Sequence, residues 1–207
     1  RYFGKPLVAF TPWIDSIKAL GIDTIQGTLS FDHQYYPDPF RPTTWKDEFF
    51  LSWYGAEISA LTFNDNCVDV TVRAGAIGKP AVVAQSPEIG FLTVVNKVKT
   101  VRGSRQRIVY HLGSDDNSIT ISGTMGVNAQ KWALSVPVKN PPSFFEASFR
   151  AALSEAGIVV IDTTPAEAPG AAESRVFKWP LTTAPLLSLL DEINQRSQNL
   201  HAEMLLR

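Results

Sequence analysis

The sequence predicts an α+β chain: a β-rich middle, a helix on either side of it, and a helical C-terminal end. Three observations carry that reading. Residues 61–138 fall into short runs of alternating apolar and polar side chains, as in Cys67-Val-Asp-Val-Thr-Val-Arg73, separated by glycine and proline breaks. Residues 11–20 and 141–156 each have a proline-primed helix start and a glycine stop. Finally, two apolar helical runs, 185–193 and 200–206, flank the polar triplet Ser197-Gln-Asn199.

Taken in order, Thr11-Pro12 reads as N-cap and first helical residue, with Gly21 as the stop and Trp13, Ile14, Ile17 and Leu20 facing inward. A strand is expected over 24–30. Residues 31–42, rich in tyrosine and proline, read as an irregular loop. Residues 45–54 fit a short helix or a packed loop. The middle breaks into strands at 67–73, 81–84, 92–101, 107–112, 118–123 and 132–138, with turn signals close enough to favour hairpins. Asn140-Pro-Pro caps a helix that reaches Ala156 and stops at Gly157; Ile158 to Ile161 then reads as a buried strand. Residues 163–174, an Ala/Pro/Gly/Glu run without period, read as a surface connector, and 175–179 as a further strand.

Composition narrows the function classes. The 207 residues are 44% apolar and 19% charged, enough for one or two globular domains. A net charge of −1 with no basic stripe argues against nucleic acid as a partner. The basic cluster 97–107 alternates with apolar residues and reads as the solvent face of a hairpin. No run of 18 apolar residues suits a membrane span, and the opening Arg1-Tyr-Phe-Gly lacks a charged-then-apolar leader. Cys67, the single cysteine, sits at an apolar position of a strand and reads as a core residue. His33, His111 and His201 have no ligand-spaced partner, so they read as structural residues and no metal site is expected. Asp65 within Asn64-Asp-Asn66, and Asp115-Asp-Asn117, lack the glycine and distal glutamate of a calcium loop and read as turn caps.

The triplet Ser197-Gln-Asn199 carries chemistry. Ser-x-Asn is one of three elements of penicillin-binding-protein active sites, beside Ser-x-x-Lys and Lys-Thr-Gly. Alone it is a weak match, since a serine and an asparagine also satisfy backbone groups in interhelical turns. The wider pattern adds weight. Ser197-Gln-Asn-Leu-His-Ala-Glu203 resembles the Ser-Asp-Asn-Leu-x-Ala-Glu segment of the D-alanyl-D-alanine carboxypeptidase/endopeptidase family. These are the class C low-molecular-mass penicillin-binding proteins, peptidase family S13. Ile17-Lys-Ala-Leu-Gly21, Tyr54-Gly-Ala-Glu-Ile-Ser-Ala-Leu-Thr-Phe-Asn64-Asp-Asn66 and residues 144–157 are similar to that family in the same order.

The resemblance implies an outer accessory domain (1–79 and 124–173), a mixed sheet with two helices. It implies a small all-β domain (80–123) nested within that, and a helical piece (174–207) of a penicillin-binding/β-lactamase-like catalytic domain. It further implies serine acyl transfer, with no metal or other cofactor, on peptidoglycan stem peptides ending in D-Ala-D-Ala, inhibition by β-lactams, and a periplasmic or extracellular, envelope-associated location. Ser197 would relay a proton or orient the lysine base, and Asn199 would hold a substrate carbonyl. Tyr54 matches an aromatic that binds the amino end of the stem peptide, although packing explains it equally well. Phe49 stands where the family has an acid, so only Asp47 or Glu48 could supply that charge. Neither Ser-x-x-Lys nor Lys-Thr-Gly occurs here, and Lys99-Thr100 continues into Val101. The chain is therefore expected to be an inactive fragment, accessory domains plus one catalytic corner, that could pair with a catalytic-core fragment or another copy. The rival reading is a non-catalytic binding or scaffolding module with the accessory fold.

Overall fold

Residues 5–36, 41–114, 116–162 and 185–206 are described by the computed structural model. The expected connector at 163–174 and strand at 175–179 lie outside them. The chain is α+β, as the sequence indicated. A 3-10 turn, Pro6–Phe10, leads into α1 (Thr11–Ala19). The helix therefore starts without the expected Thr11 cap: Phe10 takes the N-cap place, and no side chain caps it. Only Ile14 of the four expected inward residues is buried; Trp13 and Leu20 are 44% and 45% exposed. The helix meets the core along one narrow stripe. Strand β1 (Thr24–Gln26) is shorter than expected and runs parallel to β8 (Val159–Ile161). Val159 and Ile161 are exposed, so β8 is half-covered and not the buried strand its apolar run suggested. The 45–54 segment resolves into two 3-10 turns, Asp47–Leu51 and Trp53–Gly55.

Six strands build the middle. β2 (Cys67–Arg73) lies between β3 (Val82–Ser86) and β7 (Trp132–Pro137), antiparallel to both. β6 (Ser118–Gly126) lies between β4 (Thr93–Val101) and β5 (Gln106–Leu112). The hairpin expected of β4 and β5 does not form. β5 pairs antiparallel with β6, and β4 pairs parallel with β6 from the far side. The four-residue connection from β4 to β5 crosses over the end of β6 and bonds to it. The Gly126 amide donates to Arg105 O at 2.8 Å and the Asn128 amide to Gly103 O at 3.0 Å. Glycine is required at that crossing, because a Cβ on Gly126 would lie 2.5 Å from Gly103 O. Within the 80–123 segment, β3 thus joins β2 while β4 and β5 join β6.

α2 (Pro141–Glu155) covers these sheets. Asn140 caps it in the left-handed conformation (φ 59°), its side chain accepting the Ser143 amide at 3.2 Å. Phe144 and Leu153 are fully buried and join Val68, Val70, Val72, Ile119, Ile121 and Met125 in one continuous core. Aromatic rings extend it: Phe10 stacks on Phe63 at 4.9 Å and meets Phe145 edge-on at 5.3 Å. Arg150 clamps α2 to the end of β8, donating to both Asp162 carboxylate oxygens at 3.0 Å and to Glu146 at 2.9 Å. Those bonds, to Asp162 foremost, hold its guanidinium pKa above the usual value.

Two buried positions of α2 should respond oppositely. Phe144 packs against Phe63 and Phe91 with ring centroids 5.5 and 5.1 Å away. Phe144→Ala is expected to cost about 3–5 kcal/mol in denaturant unfolding. Ser148 is fully buried, and its hydroxyl has no hydrogen-bond partner among the described residues. Ser148→Ala should be neutral or stabilise by about 1 kcal/mol; a loss comparable to that of Phe144→Ala would contradict this account of the core.

Candidate active site

The Ser-x-Asn triplet sits between α3 (Leu186–Arg196) and α4 (Asn199–Leu206). α3 ends because Ser197 turns into the left-handed region (φ 53°, ψ 48°). The Gln198 amide then reaches back to Ile193 O at 3.3 Å, the six-to-one bond of a Schellman ending. Glycine normally takes that left-handed position, because a Cβ there costs about 1–2 kcal/mol. Ser197 is exposed, and its hydroxyl bonds no described residue. The serine thus bears backbone strain while its hydroxyl stays uncommitted among the described residues.

Two residues on, Asn199 opens α4. Its side-chain Nδ2 donates to the backbone carbonyl of Tyr54 at 3.2 Å. A carboxamide offers two N–H donors and one acceptor oxygen. The anchor uses one donor, leaving the second donor and Oδ1 without a bond to any described residue. The exposed amide is thus fixed in direction yet still able to hold another group.

The two apolar helical runs that flank this turn are not both buried. No residue of α3 is buried, and Leu186 and Leu187 are 60% and 70% exposed. The apolar face of α3 is largely uncovered among the described residues, with Leu189 and Ile193 only half-buried. The mount is α4, docked on the loop that precedes β2. Leu200 is buried at 2% exposure, and the Tyr36 hydroxyl donates to Met204 O at 2.8 Å. The Thr62 hydroxyl lies 3.7 Å from Met204 Sδ, and His201 Nε2 lies 3.5 Å from Asp65 Oδ1. Leu205 and Leu206 remain outside, at 43% and 83% exposure.

Tyr54 belongs to the turn Trp53–Gly55, which folds tightly onto the preceding turn. A Cβ on Gly55 would fall 2.0 Å from Phe49 O, so the Tyr-Gly pair has a steric basis. The Tyr54 ring is 38% exposed and meets Phe49 edge-on at 6.1 Å and Trp53 at 5.9 Å. Tyr54 and Asn199 are therefore neighbours, joined through a main-chain oxygen. At the position where an acid was sought, Phe49 packs on that ring. Asp47 heads its 3-10 turn, but its side chain lies outside the described set; Glu48 is 3.8 Å from Lys46 at the surface. Sequence reasoning missed Tyr36, Thr62 and the Asp65–His201 pair as supports. The Asn64-Asp-Asn66 run was their only signal, read as a turn cap.

The described chain is a β-rich α+β body that presents Ser-x-Asn at a helix junction. Comparison with known proteins gives its family. The family model described as the D-Ala-D-Ala carboxypeptidase 3 (S13) family matches residues 9–207, and the chain belongs to that family. It is 27% identical over 199 residues to a D-alanyl-D-alanine carboxypeptidase of Actinomadura sp. (strain R39), covering 92% of this chain and 37% of that protein. It is also 27% identical over 175 residues to penicillin-sensitive carboxypeptidase A of Dictyostelium discoideum, covering 80% and 33%. The chain thus spans about a third of the length of these relatives. The crystal structure of penicillin-binding protein 4 from Haemophilus influenzae shares the fold, with a TM-score of 0.64 at 16% identity over 96% of this chain and 44% of that one. A β-lactam complex of the same protein gives 0.50 at 14% identity, over 96% and 42%.

The left-handed turn yields a direct test. Ser197→Gly removes the Cβ cost, offset in part by the extra unfolded-chain entropy of glycine, for a net gain of about 0.5–1 kcal/mol. Hydrogen exchange at the Gln198 amide should slow roughly two- to fivefold. Faster exchange in the glycine variant would show that the serine side chain holds the turn.

Proposed function

We propose that this chain is part of a serine-type D-Ala-D-Ala carboxypeptidase/endopeptidase acting on peptidoglycan stem peptides at the cell envelope, outside the cytoplasm. The observation that carries the reading is the pairing of a strained, exposed, uncommitted Ser197 hydroxyl with an anchored Asn199 carboxamide in a family of that activity. Family membership and the names of the relatives support the substrate class; the β-lactam complex of the structural neighbour supports the inhibitor class.

In such an enzyme a nucleophilic serine attacks the carbonyl of the D-Ala-D-Ala bond. The amide nitrogen leaves as D-alanine with a proton, and water or an amine releases the acyl group. The nucleophile and its lysine belong to a Ser-x-x-Lys element and the far wall to Lys-Thr-Gly, and neither pattern occurs in these 207 residues. Ser197 supplies a hydroxyl that accepts a hydrogen bond from the lysine and passes a proton toward the departing nitrogen. The free half of the Asn199 amide holds a backbone group of the acyl-side residue, so the scissile carbonyl is oriented before attack. Tyr54 forms an apolar wall beside Asn199, with Asp47 the remaining candidate for recognising an ammonium group. The outer (1–79, 124–173) and nested (80–123) units are proposed as accessory domains that bring the Tyr54 loop to this corner.

The test has two arms. The 207-residue chain alone should gain no covalent mass on incubation with penicillin. In a longer protein carrying all three elements, Ser197→Ala and Asn199→Ala should each slow acylation on the order of 10²-fold while the fold melts as before. Normal acylation in both variants would refute the assigned roles; a penicillin adduct on the short chain would refute its incompleteness.

A further inference from the structure

The charge of this chain is segregated in a way its net value hides. Residues 89–114 hold five cations, Lys97, Lys99, Arg102, Arg105 and Arg107, and no acid. All five are exposed, and none forms an ion pair with a described residue. The sheet β4–β6–β5 gathers them. Lys99, Thr124 and Arg107 form one row across the three strands; Lys97, Ser122 and Val109 form the next. Alternate residues point the other way, where Val98, Ile119, Ile121 and Met125 are buried. The outer face therefore carries cations, hydroxyls and His111, with Val95 and Val109 among them at 41% and 56% exposure. Arg102 and Arg105 lie, exposed, in the connection that crosses the end of β6. Among the described residues, the acids flanking this segment are Glu88 and Asp116; Asp116 sits at the opposite end and accepts the Ser118 hydroxyl. Strand rise puts that end about 20 Å from Lys99.

We propose that this face docks on an anionic phospholipid bilayer. Cations without a described partner, gathered on one sheet face, match the anionic phosphates of such a membrane. The two valines decide between membrane and polymer. A linear polyphosphate would satisfy the cations but offer Val95 and Val109 no apolar partner, whereas the headgroup boundary offers both. The surface shares no residue with the Ser197 corner, so either can fail while the other stands.

Co-sedimentation of the 207-residue chain with vesicles tests this. Binding is expected to phosphatidylcholine–phosphatidylglycerol vesicles and not to phosphatidylcholine alone, and should vanish near 1 M salt, where the Debye length is about 3 Å. The triple variant Lys97→Gln, Lys99→Gln, Arg107→Gln should lose on the order of 100-fold in partition, roughly fivefold per charge, with an unchanged circular dichroism spectrum. The control Lys18→Gln, Lys46→Gln should bind normally. Equal binding to neutral vesicles, or undiminished binding by the triple variant, overturns the proposal. So does capture of long-chain inorganic polyphosphate without capture of vesicles. Should the triple variant fail to fold, Val109→Ser serves instead. It should weaken vesicle binding severalfold and leave polyphosphate binding unchanged, and an unaltered vesicle affinity would overturn the proposal.

Discussion

The arrangement hangs on one buried side chain, Asn66. It is fully inaccessible, and its carboxamide bridges two strands of loop: Oδ1 accepts the Phe63 amide at 3.2 Å and Nδ2 donates to Glu57 O at 2.7 Å. Its own carbonyl accepts the Val138 amide at 2.9 Å, tying the turn to the chain just past β7. Asn64, Asp65 and Asn66 are all left-handed, a run that asparagine and aspartate tolerate better than other side-chain-bearing residues. Asp65, at the crest, then faces His201 on α4. The polar turn therefore fixes the aromatic loop to the sheet and meets the helix that begins at Asn199. A buried carboxamide left half-satisfied would cost about 1–3 kcal/mol, which makes this junction intolerant of change.

Around that turn the polar network continues outward. Glu57 Oε1 takes Arg41, whose guanidinium also lies 4.6 Å from the Phe50 ring centroid, and Oε2 takes the Asn140 amide at the start of α2. The aromatic loop, the sheet β3–β2–β7 and α2 are thus joined through two side chains, Glu57 and Asn66. Rigidity at Tyr54 is inherited from them. A main-chain oxygen held this way can orient Asn199 even though its own turn is only three residues long.

What was legible in the sequence follows what local periodicity encodes. Strand positions β2 to β7 fell within a few residues of expectation, because alternation and turn residues are local signals. Pairing was not legible: the alternation of β4 fits β5 or β6 equally, and the choice rests on the crossing at Gly126. The apolar stripe of α1 was overread, since Trp13 and Leu20 look like core residues until the neighbours are placed. Ser197 and Asn199 stood out through their pattern, whereas the anchor of Asn199 uses a backbone carbonyl that no side-chain pattern can announce. The basic cluster 97–107 was visible as a solvent face, but the hairpin assigned to it does not form, and only the strand register shows that Lys97, Lys99 and Arg107 share one side of a three-stranded sheet.

The crossed connection over β6 also dictates an order of assembly. β5 and β6 are sequence neighbours, and their antiparallel pairing closes a loop of a few residues. β4 gains its partner only after β6 is in place, because the two are parallel and their paired residues are 25 apart, as in Thr93 with Ser118. Closing that longer loop is entropically dearer, and non-local pairings of this kind slow folding. Until β4 docks, one edge of β6 stays unpaired. The newly made chain is therefore most exposed to wrong strand partners in the interval between its hairpin and its crossing.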